Sequence, residues 1–193
     1  MTRTTEKKKQ LSADDWIKAA FRALSEGGVQ AIRAEAIARE LKTTKGSFYW
    51  HFRDVPALKE AMLARWCQMA TEDIIAINKE PHADPATRLR ELIALVTDER
   101  SAEYGGIRAE AAIREWARYD GKVAETARQV DRRRLDYLSS IAAELGYGDT
   151  DRRIVAQLLY GGLIGLEYLQ AQNLAGAGTA LQILGDMIAA KGK

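Results

Sequence analysis

Cysteine occurs once in this chain, at Cys67, and proline three times in 193 residues. A lone thiol excludes an internal disulfide and a cysteine zinc cage, and it fits a reducing cytosol. Scarce proline leaves room for long helices, which the abundant Ala, Leu, Arg and Glu favour. There is no run of about 18 apolar residues, so no membrane span is expected. The first ten residues, MTRTTEKKKQ, lack the apolar core of an export signal, and the expected compartment is the cytoplasm. Histidine occurs twice, at His51 and His82. No HExxH pair, glycine-rich phosphate loop or serine elbow is present, so neither an enzyme nor a metal or cofactor site is expected.

A hydrophobic content of 47% supports a sizeable core. The net charge of +2 is unevenly spread: residues 1–60 hold 12 Lys/Arg against 8 Asp/Glu, and the rest hold 17 against 19. A basic first third suits an end that meets nucleic acid. Arg3, Lys7, Lys8 and Lys9 make a basic tail that could reach a DNA backbone or serve only as a solubilising end.

The fold expected is all-α. Ser12 with Asp15 makes a capping box for a first helix, whose inward face is Trp16, Ala20, Phe21 and Leu24 and whose end is Gly27-Gly28. A second short helix carries Ile37, Ala38 and Leu41. Thr44 caps a third, over about 44–51, in which Phe48 and Phe52 share one face. At about 100° per residue, Gly46 and Trp50 then point outward, flanked by Ser47 and Tyr49. Lys45 in the first turn opposes the helix dipole, a placement that a nearby phosphate or guanine edge explains. Gly46 costs about 1 kcal/mol in a helix and permits close approach of a partner. Two short helices with this aromatic outer face predict a helix-turn-helix.

The run Ile37-Ala38, then Thr44 to Phe52 (TKGSFYWHF), then Leu58 resembles the signature of the TetR family of transcriptional regulators over residues 12–60. The resemblance implies that Thr44, Lys45, Gly46, Tyr49, Trp50 and His51 contact bases or phosphates, and that Phe48 and Phe52 are core. Thr43 and Ser47 join the expected DNA face. Three positions depart from the pattern. Arg33 replaces a capping threonine and could itself meet a phosphate. Lys42 stands in the turn where glycine is usual. Val55 replaces a lysine, whose contact Lys59 or Arg53 could supply.

The domains expected are a DNA-binding head at 1–54 and a helical effector-binding and dimerisation domain at 55–193, about nine helices together. Asp54 caps a fourth helix that runs unbroken from Val55 to about Asn78, a rod able to carry displacement to the head. KEPHADP, with His82 as a loop residue, ends it. Further helices follow to about Ala190, and the run Arg132-Arg133-Arg134 reads as a solvated face. The helix over about 150–172 is apolar nearly all round and carries Gly161, Gly162 and Gly165, and the last helix is also apolar. Together they predict a homodimeric four-helix interface through Leu158, Gly162, Leu166, Leu169, Leu184 and Ile188, as the resemblance also implies.

The resemblance further implies a ligand pocket beside the fourth helix, for which Met62, Trp66, Met69, Trp116 and Tyr137 are the candidates; Glu110 and Glu115 read equally as polar anchors or as surface residues. The resulting expectation is a cytoplasmic homodimeric regulator, a repressor that binds a palindromic DNA operator and a small, largely apolar effector. One rival, a helical small-molecule-binding enzyme, has no candidate nucleophile or metal site; another, an adaptor without DNA binding, leaves the outward Trp50 and Gly46 unexplained.

Overall fold

The computed structural model describes residues 11–79, 84–98, 103–174 and 176–191. The basic tail with Arg3 and Lys7–Lys9, and the loop position of His82, lie outside the described residues. Among those described, the chain is all-α with nine helices and no strand. The head holds α1 (Ala13–Gly27), α2 (Ala34–Glu40) and α3 (Lys45–Tyr49). Helix α4 covers 55–78 without a break: Val55–Cys67 is α-helical, Gln68–Glu72 is a π turn, and Asp73–Asn78 is α-helical again. Then come α5 (Pro85–Thr97), α6 (Gly106–Ala117), α7 (Gly121–Glu144), α8 (Asp149–Ala171) and α9 (Ala177–Lys191).

The helix starts follow local chemistry. Ser12 and Asp15 form the reciprocal capping box. The Asp54 carboxylate accepts the Ala57 amide at 2.7 Å, and Asp84 and Asp120 cap α5 and α7 in the same way. Arg33 precedes α2 without a side-chain cap, as the lost threonine predicts. Lys42 takes φ +52°, the left-handed turn that glycine would enter at no cost.

Two apolar cores stack along the molecule. The first joins Trp16, Phe21, Ile37, Phe48 and Phe52 of the head to Leu58, Met62 and Trp66 of α4 and to Ile113 and Trp116 of α6. The second gathers Ile75 of α4 with Leu89, Ile93, Tyr137, Ile141, Leu159 and Leu181. The head therefore shares its core with α4 and α6, and no seam in the packing falls at residue 54. The change of core comes instead at the π turn, between Trp66 and Ile75. The wider π turn inserts one residue into the helix register, and such turns concentrate at functional sites. The expected rod is continuous, but it carries a register change half-way along.

Candidate nucleic-acid interface and internal cavity

Phe48 is fully buried and sets the orientation of α3. Its ring meets Trp16 edge-on at 5.4 Å between centroids, and Phe52 lies at 5.8 Å. The Thr44 hydroxyl accepts the Ser47 amide at 3.3 Å, and the Thr43 amide closes the turn onto the Ala38 carbonyl at 2.9 Å. With both phenylalanines anchored, Thr44, Lys45, Gly46, Tyr49 and Trp50 are exposed, Trp50 to 89%. A tryptophan so exposed gains almost nothing from the fold that carries it. A Cβ at Gly46 would meet only the Thr44 hydroxyl, at 3.6 Å, so internal packing does not require glycine there.

Other expected contact residues sit differently. Thr43, Ser47 and His51 are half-buried, and the His51 ring leans on Trp16 at 6.3 Å. Lys59 is half-buried with its ammonium 5.5 Å from the Trp116 ring, turned toward α6. Arg33 is exposed at the start of α2. Lys45 has a local partner that its position in α3 alone does not reveal: its ammonium pairs with the Glu35 carboxylate in the first turn of α2. That pair holds the lysine pKa above and the glutamate pKa below their ordinary ranges. The dipole argument thus falls short at Lys45, because Glu35 offsets the unfavourable end charge.

Residues 17–64 match the family model of "Bacterial regulatory proteins, tetR family". The head belongs to the TetR family. Beyond the TetR head the likeness is one of fold. A TetR-family transcriptional regulator from Agrobacterium tumefaciens is 19% identical, with 93% of this chain covering 96% of that one at a TM-score of 0.72. SmeT, the repressor of the Stenotrophomonas maltophilia multidrug efflux pump SmeDEF, is 19% identical over 94% of this chain and 90% of its own, TM-score 0.69. A protein from Saccharomonospora viridis, solved in complex with choline, is 16% identical over 91% and 92%, TM-score 0.73. No curated protein matches the chain at the level of sequence. The whole TetR-type architecture, head and helical body, is therefore present.

Within the body lies a cavity of about 660 Å³ between the π turn, α5, α6, α7 and α8. Of the pocket candidates, Trp66, Met69 and Tyr137 line it. Met62 and Trp116 do not: both are packed into the first core, and the Trp116 indole donates to Asp120 at 3.3 Å. Glu115 is on the surface beside Arg118, whereas Glu110 faces the cavity.

Part of the cavity wall is a buried ion cluster that includes Trp66, Glu110, Arg134 and Tyr160. Glu110 accepts from Arg134 at 2.9 Å, from Arg114 at 2.8 Å and from the Trp66 indole at 2.7 Å. Arg114 also donates to Asp131 at 2.9 Å, and the Tyr160 hydroxyl donates to Asp131 at 2.7 Å. Burial pushes the Glu110 carboxyl up, but Arg134, Arg114 and Trp66 outweigh it and hold it below the usual range. Arg134 is not the solvated residue its arginine run suggested, since its side chain is 15% exposed. It donates to the Ala70 carbonyl at 3.0 Å and to the Thr71 hydroxyl at 3.1 Å, both within the π turn. Arg132 and Arg133 of the same run are indeed exposed.

On the outer face of α8, Ile154, Leu158 and Leu169 are exposed, and Cβ atoms at Gly161 and Gly165 would meet nothing. Ile183 and Met187 of α9 are exposed as well. Gly162 instead faces Leu184 of the same chain, where a Cβ would come within 3.2 Å. Leu166 and Leu184 are half-buried against the second core, and Ile188 is buried within it. Ile188 is therefore occupied inside its own chain. Among the described residues no helix is long and apolar enough to cross a membrane, and no group of three His, Cys, Asp or Glu residues is placed to hold a metal.

Proposed function

We propose that this chain is a DNA-binding transcriptional regulator that acts as a homodimer in the cytoplasm and represses from a palindromic operator until a small ligand enters its cavity. The observation that carries the reading is the α3 face, where Trp50, Tyr49, Gly46 and Thr44 are exposed opposite two buried phenylalanines. Those groups offer an indole N–H, two hydroxyls and a bare backbone to a major groove, and Lys45 reaches a phosphate by giving up Glu35. The exposed stripe Ile154, Leu158, Gly161, Gly165 and Leu169 on α8, with Ile183 and Met187 on α9, supports pairing through two helices from each subunit. Pairing sets two heads about 34–36 Å apart, one half-site each.

The π turn forms part of the cavity wall through Met69, Ala70 and Thr71, and α4 runs from there to the head. A ligand that displaces this turn alters the head, so the DNA-competent state loses population. In this reading the cavity binds and does not catalyse. The test is fluorescence anisotropy with duplex DNA from upstream of the protein's own gene. Saturable, sequence-selective binding is expected, and Trp50→Ala abolishes the selectivity. If the wild-type protein binds that DNA no better than scrambled duplex, self-regulation through α3 is wrong. Coupling is tested reciprocally: a ligand that weakens DNA binding must itself be weakened by DNA to the same factor.

A further inference from the structure

Glu167 lines the same cavity from α8, two helical turns after Tyr160, and it is left out of the ion cluster. The cluster closes on itself: the guanidiniums of Arg114 and Arg134 are matched by the carboxylates of Glu110 and Asp131. Glu167 is the surplus acid. Among the described residues it has no hydrogen bond or ion pair, while Glu110, Arg114, Arg134 and Asp131 each make several. The remaining charged residues of the lining are Asp73, Asp98 and Arg108, exposed toward the rim, so acids outnumber bases there too. Most of the rest is apolar: Ile74, Leu89, Leu92, Ile93, Leu159 and Leu163. A half-buried carboxylate without a partner costs free energy, and a bound positive charge offsets that cost.

We propose that Glu167 is a cation subsite, and that the cavity takes a compound with an apolar body and a single positively charged nitrogen. This rests on the reading of the cavity as a ligand site. The nitrogen pairs with the Glu167 carboxylate, and the body lies along the leucines and isoleucines of α5 and α8. Charged groups that face Glu167 are Glu110 and Arg114 from α6 and Arg134 from α7. Burial, with Glu110 nearby, pushes the Glu167 carboxyl up to about 7. It therefore changes charge near neutrality, and a bound cation holds it ionised.

Calorimetry with two matched probes, 4-phenylbutylammonium and 4-phenylbutanol, tests this on the full-length protein. At pH 8 the ammonium is expected to bind at least about tenfold more tightly than the alcohol, the gain of a charge-assisted bond. Glu167→Gln removes the preference and leaves the alcohol's affinity within about twofold, which also shows that the variant is folded. On the wild-type protein alone, ammonium affinity falls between pH 8 and 5.5 while alcohol affinity stays level. Equal binding of both probes by the wild-type protein, or a preference that survives in Glu167→Gln, overturns the cation subsite and leaves the cavity reading standing. Binding of neither probe overturns both.

Discussion

The Arg65 guanidinium on α4 donates to the Tyr104 hydroxyl at 2.7 Å, just before α6, and Tyr104 in turn donates to Asp14 of α1 at 2.8 Å. One hydroxyl thus ties the head, the long helix and the body together. The Tyr104 ring also stands edge-on to Phe21 at 5.9 Å, and Lys18 pairs with Glu103 at 2.6 Å. Gly105 follows with φ +84°, and a Cβ there would lie 2.6 Å from the Ser25 hydroxyl, so the chain before α6 is pressed onto α1. The head is therefore seated on two supports, α4 and the start of α6, and a displaced α4 must also break or carry this junction.

Tyr104→Phe keeps the ring and removes the shared hydroxyl. Arg65 and Asp14 remain 3.2 Å apart and can still pair. The expected cost is about 1 kcal/mol in urea unfolding, the net worth of a typical hydrogen bond. Operator affinity should fall as well, because the head samples orientations that the bridge excludes. If the variant loses stability but keeps wild-type DNA affinity, the junction holds the fold and does not set the head.

Gly46→Ala separates stability from DNA binding. Alanine has room, with its nearest neighbour at 3.6 Å, and it is the better helix former by about 1 kcal/mol. The midpoint of thermal unfolding should hold or rise while operator affinity drops, since the methyl group stands between backbone and groove. Trp50→Ala should also leave the unfolding midpoint within error. A large loss of helical signal in either variant would mean that this face is packed inside the protein.

The head was legible because its signals are local. Caps at Ser12, Thr44 and Asp54 act within three residues, and the Phe48–Phe52 spacing fixes which side of α3 faces out. What lay beyond reading depends on partners far apart in sequence. Lys45 finds Glu35 across a turn, which a dipole argument confined to one helix misses. The π turn has no marker in Gln68–Glu72; its Ala70 carbonyl is taken by Arg134, 64 residues away. One missed signal was available. Val130, Arg134, Tyr137 and Ile141 share one helical stripe, so Arg134 stands at an inward position although its two neighbours in the run are exposed. Reading the three arginines as one block hid that. Glu167 was likewise hidden in a helix read as apolar all round.

Leu158→Glu should split the proposed dimer. Leu158 is 56% exposed on the α8 stripe, so a glutamate costs the isolated subunit little. Placed in a self-complementary interface, the same charge meets its own copy. Sedimentation at micromolar concentration should give a single species of 21.4 kDa in place of a dimer, with unchanged circular dichroism. Operator affinity should fall steeply, because two linked heads bind far better than one. A dimer that survives this change and also Met187→Glu must pair through another face.

Glu167 also predicts how stability varies with pH. In the folded chain it keeps its proton up to about 7, while in the unfolded chain it releases it near the ordinary 4.5. Between those values the folded state binds more protons, so this residue makes stability fall as pH rises through the window. At about 1.4 kcal/mol per unit, the loss amounts to at most roughly 3.5 kcal/mol above pH 7. Glu167→Gln has no charge to bury. Its unfolding free energy should match wild type at pH 4.5 and exceed it at pH 8, by an amount approaching that figure. A gain of equal size at both pH values would assign the effect to amide packing rather than to charge. A gain only at pH 8, joined to lost ammonium binding, would mean that the protein forgoes stability to keep an unpaired carboxylate facing its cavity.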